Sequence, residues 1–139
     1  MSDDNLSNYE EGTWTPVLIG TGVAGTHTYA ANGQIGHYTR IGNRCFIDAH
    51  VILTDWDDAN ATGQVGMQTL PFTVLSSTSY TPTLSVVFGG ITLGGSYQVL
   101  SAHATTNTTR IDFIQSGTGV ATTPLLERIQ FNPVHIRLR

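Results

Sequence analysis

The clearest pattern of hydrophobic and polar positions lies between residues 44 and 53. Cys45, Ile47, Ala49, Val51 and Leu53 alternate with Arg44, Asp48 and His50, and Phe46 and Ile52 fall among the latter. A period of two puts successive side chains on opposite faces of a strand, so this segment predicts one buried face and one mixed face. Aromatic and apolar groups beside charges on that mixed face suit a contact between subunits. Further runs rich in Val, Ile, Thr, Tyr and Phe cover residues 13–19, 36–41, 83–88, 97–104, 110–114, 129–132 and 135–138. These residue types fit a pleated, half-buried surface. Between the runs stand Asn32-Gly33, Gly42-Asn43, Gly89-Gly90, Gly94-Gly95 and Gly117-Thr118-Gly119, which supply turn positions able to take a positive φ. Pro16 has no amide hydrogen and demotes its run to an edge or a bulge. No segment keeps a helical period, and residues 123–128 would make one turn at most. No internal repeat is visible, which argues against a solenoid. Many short strands with regular turn signals predict an all-β sandwich or barrel.

Length and composition fit that picture. The chain has 139 residues, one domain by the usual size range. Residues 1–8 are polar and acidic and read as a lead-in or linker; residues 9–139 read as a single β-domain. Charged residues make up 12 % and hydrophobic ones 40 %, and all six basic residues are arginine. Disorder needs low hydrophobicity and high net charge, so this is a folded composition. Its surface is hydroxylated rather than charged, as when much surface is buried between subunits. The net charge of −4 argues against nucleic acid as a partner, because phosphate binding needs a basic patch. Arg128, Arg137 and Arg139 read as edge or interface chemistry. The lone Cys45 allows no intrachain disulfide and reads as a small core hydrophobe. Met1 is followed by Ser-Asp-Asp-Asn rather than a basic-then-apolar leader, and no apolar run reaches the ~20 residues that span a membrane. Synthesis in a cytoplasm without membrane insertion is expected, with any extracellular life reached by release in a particle.

Candidate chemistry is sparse. Asp55-Trp56-Asp57-Asp58 follows the best strand and precedes Asn60-Ala61-Thr62-Gly63, so it is expected on a loop. Three carboxylates around an indole admit three readings. The aromatic face stacks on a sugar while the carboxylates take its hydroxyls; or the hard oxygens hold Ca²⁺; or the loop is merely acidic, with Trp56 folded back on the core. Tyr80 and Tyr97 are weaker candidate sugar contacts. Glu10 and Glu11 are adjacent on a strand and point to opposite faces, so they do not form the facing carboxylate pair of a glycosidase. Trp14 reads as a core or interface anchor. The five histidines show no local metal-ligand spacing, though Asp48 and His50 share a strand face and are placed to interact. No nucleophile elbow, phosphate loop or dinucleotide fingerprint is present, so neither an enzyme nor a cofactor is expected.

Three strings, in order, give a stronger lead: Glu10-Glu11-Gly12-Thr13-Trp14-Thr15-Pro16, Gly36-His37-Tyr38-Thr39-Arg40-Ile41-Gly42-Asn43, and Leu70-Pro71-Phe72. Together they resemble the signature of the distal, C-terminal domain of bacteriophage tail fibres and tailspikes, over residues 8–139. The resemblance implies a compact, jelly-roll-like antiparallel β-sandwich assembled as a homotrimer, joined upstream to a fibre shaft and carried on the virion. It also implies one of two jobs: binding a bacterial surface glycan, or only locking the trimer. A capsid decoration or head-fibre protein would share the sandwich. Such domains tend to place a glycine directly before Leu-Pro-Phe. Here Thr69 stands in its place, so a differently shaped loop is expected.

Overall fold

The computed structural model describes residues 8–57, 59–78, 81–89, 97–117 and 128–137. Among the described residues the chain is all β, with ten strands: β1 (Tyr9–Trp14), β2 (Val17–Gly20), β3 (Thr28–Ile41), β4 (Arg44–Asp55), β5 (Val65–Gln68), β6 (Thr83–Leu84), β7 (Val86–Phe88), β8 (Tyr97–Thr105), β9 (Arg110–Gly117) and β10 (Arg128–Arg137). They form two antiparallel five-stranded sheets. Sheet A runs β1-β3-β4-β10-β7 and sheet B runs β2-β5-β9-β8-β6.

One core lies between the sheets. Sheet A gives Trp14 and the β4 row Cys45, Ile47, Ala49, Val51 and Leu53, the alternation that the sequence predicts. Sheet B gives Leu18, Val65, Met67, Leu84, Leu100, Ala102, Ala104, Ile111 and Phe113. Each large aliphatic or aromatic side chain buried this way contributes roughly 1.5–3 kcal/mol. A pair of antiparallel sheets sharing one core is the arrangement of a β-sandwich.

Strands joined in sequence stand in matching order in the two sheets. From one edge, sheet A shows β1, β4, β10 and β7, and sheet B shows β2, β5, β9 and β8, with β3 and β6 as additions. The chain thus repeatedly crosses from one sheet to the other, and two of those crossings fall inside predicted runs. Residues 13–19 are not one strand: the chain leaves sheet A after Trp14, passes the fully buried Pro16 and enters sheet B at Val17. Proline cannot donate to a ladder, so a change of sheet at Thr15-Pro16 loses no hydrogen bond there. Gln34 Nε2 donates to the Pro16 carbonyl at 2.9 Å and holds the corner. Residues 83–88 likewise divide at Ser85 between β6 in sheet B and β7 in sheet A.

Two other expectations change. Asn32-Gly33 is not a turn between strands but a bulge inside β3, where the register against β4 shifts between Tyr29 and Gln34. Asn32 takes a φ of 56° there, tolerable for asparagine. The runs at 129–132 and 135–137 belong to the single strand β10, bulged between Phe131 and Val134; Leu138 lies outside the described residues. The sequence pattern does not predict strand β5. Its Val65, Gly66 and Met67 are all buried, so it has no alternation to see. The possible helical turn at residues 123–128 falls outside the described residues except at Arg128, which begins β10.

Candidate functional site

The three signature strings meet in space. Strand β1 pairs with β3 so that Glu10 faces Arg40, Gly12 faces Tyr38 and Trp14 faces Gly36. The Trp14 ring lies on the bare Gly36 backbone: a Cβ on Gly36 would stand 2.5 Å from its Nε1. The indole also donates to the His37 carbonyl at 3.3 Å. One pair along, the Tyr38 ring covers Gly12, where a Cβ would come within 2.8 Å of it. Both glycines are therefore required for close approach, not for an unusual φ. Tyr38 meets Phe72 edge to face at 5.3 Å and donates its hydroxyl to Glu10 Oε1 at 2.8 Å, which raises the phenol's pKa. The Arg40 guanidinium carbon stands 4.8 Å from the centroid of the Phe72 ring, and its Nε donates to the Gly42 carbonyl at 2.9 Å. Residues from all three strings thus build one continuous packing unit.

Thr69, just before Leu70-Pro71-Phe72, has a φ of 75°. A β-branched residue thus holds a left-handed backbone that glycine adopts freely. Such a conformation costs about 1–3 kcal/mol and persists only where its surroundings impose it. The Thr69 hydroxyl sits between the carbonyl oxygens of Thr15 and Gln68, tying this loop to the sheet-crossing corner.

The acidic loop is built differently. Asp55 ends β4, exposed, opposite Thr28. Trp56 is half-buried against the core and stacks on His27 with centroids 3.9 Å apart and planes 8° from parallel. Asp57 is a hub. Its Oδ2 accepts the Thr26 N–H at 2.8 Å, and its Oδ1 accepts Asn60 Nδ2 at 2.9 Å. Its amide donates to His27 Nδ1 at 3.1 Å. His27 Nδ1 is thus an acceptor, and Nε2 carries the proton towards the Ala24 carbonyl at 3.0 Å. The bonds from Thr26 and then from Asn60 hold the Asp57 carboxyl below the usual aspartate range. Backbone bonds from Gly22 to Thr62 (2.8 Å), from Thr62 to Val23 (3.0 Å) and from Ala61 to Asp57 (2.9 Å) close the brace. The structure therefore joins Trp56 and Asp57 to His27, Thr26 and Asn60, whereas Asp55 stands apart. Asp58 and Tyr80 lie outside the described residues, and of Tyr97 only the backbone in β8 is described. With both oxygens of Asp57 engaged and one indole face under His27, this loop braces the fold, and Asp55 is the open carboxylate among its described residues.

On the outer face of sheet A, Asp48 pairs with His37, its cross-strand partner in β3, at 3.1 Å. His50 shares that outer face of β4 with Asp48, as the alternation predicts. Cys45 is buried, and burial pushes its thiol up to about 11, so it stays protonated at neutral pH. A further cluster, not anticipated from the sequence, lies on the outer face of sheet B. Asp112 is buried there, with Oδ1 2.7 Å from Arg110 Nε and Oδ2 accepting from Arg110 Nη2 (3.0 Å) and Thr105 Oγ1 (2.7 Å). Gly66 makes room for it: a Cβ there would stand 3.2 Å from Oδ1. Arg110 and Asp112, two apart on one strand face, were the available signal. No group of metal-ligating side chains occurs among the described residues.

No family model, curated protein or solved structure matches the chain.

Proposed function

We propose that this chain is the distal domain of a phage tail fibre or tailspike, that it forms a homotrimer on an upstream shaft, and that it engages a bacterial surface carbohydrate. The observation that carries the reading is the meeting of the three signature strings in one packing unit. Strings that are far apart in sequence but make a single cluster are a unit of fold, and the resemblance attaches fold and function to that unit. The matching strand order of the two sheets supports a jelly-roll-like path. The outer face of sheet A supports a subunit contact. It exposes Ile35, Ile41 and Val87, with Phe46 and Ile52 half-buried between them, and such apolar groups on one face mark an interaction surface. Three linked copies would turn weak single-site sugar binding into firm attachment by raising the effective concentration.

The engagement of both Asp57 oxygens favours a second reading, in which the domain locks the trimer and touches no receptor. Light scattering on a sizing column, followed by a cell-binding assay with the same sample, tests both. A mass of about three chains together with retention on susceptible cells is expected. A trimer that ignores cells leaves the assembly role alone, and a monomer that ignores cells overturns the proposal.

A further inference from the structure

At the end of sheet A next to the signature unit is an open cleft of about 230 Å³, lined by Asn8, Tyr9, Glu10 and Arg40. We infer that this cleft binds one neutral hexose unit of a surface polysaccharide. The inference rests on the carbohydrate reading above and gives it a location and a sugar class.

Glu10 and Arg40 are direct partners across the β1–β3 ladder, yet among the described residues no ion pair joins them. Each is held by something else. Tyr38 occupies Glu10 Oε1 at 2.8 Å. The Gly42 carbonyl takes Arg40 Nε at 2.9 Å, and the guanidinium carbon lies over the Phe72 ring. The Gly42 amide donates to the Asn8 carbonyl at 3.1 Å and closes the rim. These bonds use one carboxylate oxygen and one guanidinium nitrogen. Among the described residues, Glu10 Oε2 and the two terminal nitrogens of Arg40 remain for a guest.

The chemistry of the guest follows from those groups. A carboxylate accepts from hydroxyls, and a guanidinium donates to them, so vicinal hydroxyls of a sugar satisfy both. The opposite charges offset one another. A carboxylated sugar would meet Glu10, and an amine would meet Arg40, so a neutral polyol fits best. Tyr9 also lines the cleft and is 50 % exposed, with its hydroxyl tied to Glu11. The volume is below the ~300–1,000 Å³ of clefts for larger ligands, which suits a single ring at a chain end. Groups fixed before binding spare the ordering cost that makes small sites weak.

The full ¹⁵N-labelled chain is titrated with glucose, galactose, mannose, N-acetylglucosamine and glucuronate, each up to about 50 mM, since a small open site is weak. At least one neutral sugar is expected to shift the amides of residues 8–10 and 40–43, and glucuronate to bind more weakly. In Glu10→Gln the amide oxygen still accepts from Tyr38, so melting is retained, while affinity falls roughly tenfold with the lost charged acceptor. Tyr9→Ala, which leaves the Glu10–Tyr38 bond intact, weakens binding as well. The inference is overturned if no neutral sugar moves those amides, if glucuronate binds as tightly, or if Glu10→Gln binds like the parent. Cell retention separates the two levels. A parent chain held on cells and released by the free sugar supports both. Equal retention of parent and Glu10→Gln removes this cleft and leaves the fibre reading standing. Sugar binding in the cleft without trimer or cell retention keeps the cleft and removes the fibre reading.

Discussion

Each tryptophan of this chain is the centre of a cluster, and the two clusters hold by different physics. Around Trp14 the fit is steric: indole and phenol rings lie on Gly36 and Gly12, and nothing larger than hydrogen fits beneath them. Around Trp56 the fit is polar: a neutral imidazole stacks on the indole, and one carboxylate satisfies two loop donors. The first cluster is specified by what is absent from a side chain. The second is specified by which hydrogen bonds are complete. Close packing fails when volume is added, whereas a polar brace fails when a proton is added or an acceptor removed.

The largest expected effect separates the two at once. Gly36→Ala sets a methyl group against three atoms of the Trp14 ring at 2.5–2.7 Å, and should cost on the order of 3 kcal/mol in denaturant unfolding. A cost below about 1 kcal/mol would mean that Trp14 moves aside easily, and the steric account would lapse. Trp56→Ala removes a half-buried ring and the His27 stack; about 2 kcal/mol is expected, with the loop at residues 22–27 exchanging amide hydrogens faster than sheet A. Thr69→Gly acts with the opposite sign. Relief of the positive φ should outweigh the added chain entropy and stabilise the protein by about 0.5–1 kcal/mol, seen as a higher Tm. A lower Tm would show that the hydroxyl's carbonyl contacts matter more than the backbone.

A pH titration sharpens the contrast further. The Asp57 carboxyl lies below its ordinary value of 3.8, so its contribution is full above that value and is lost as pH falls through the lowered one. Amide exchange at Thr26 and Asn60 should therefore quicken in acid before that of the β1–β3 ladder, and Asp57→Asn should abolish the difference. The smallest effect concerns Cys45: with its thiol pushed up to about 11, it should resist a disulfide reagent at neutral pH until the sandwich unfolds.

The sequence made the β4 face legible because one side of that strand is wholly buried, and burial on one side writes a period of two. The same logic hid β5, which is buried on both sides and only four residues long. Runs that cross from one sheet to the other look like single strands in the sequence, since a crossing keeps the β-forming composition and changes only the partner. Pro16 did mark one such crossing, but proline signals a lost donor and not the direction taken next. Of the acidic string, Trp56 and Asp57 lie on a loop as the sequence predicts while Asp55 still belongs to β4, and the partners His27 and Thr26 come from far along the chain, near only through the β3–β4 pairing. Glu10 was recognised as unable to face Glu11; that it faces Arg40 depends on a register that no local pattern encodes.

In sheet A the last of the described strands is an inner one: β10 lies between β4 and β7. Before β10 is made, β4 can pair with β3 but leaves its other edge open, and β7 has no ladder partner. Such edges invite pairing with other chains, and the wait for a distant strand is slow. A chain interrupted ahead of β10 would therefore carry an open β4 edge and an unpaired β7 strand. In a cell crowded with identical copies, completion of the final strand decides between a closed sandwich and an aggregate.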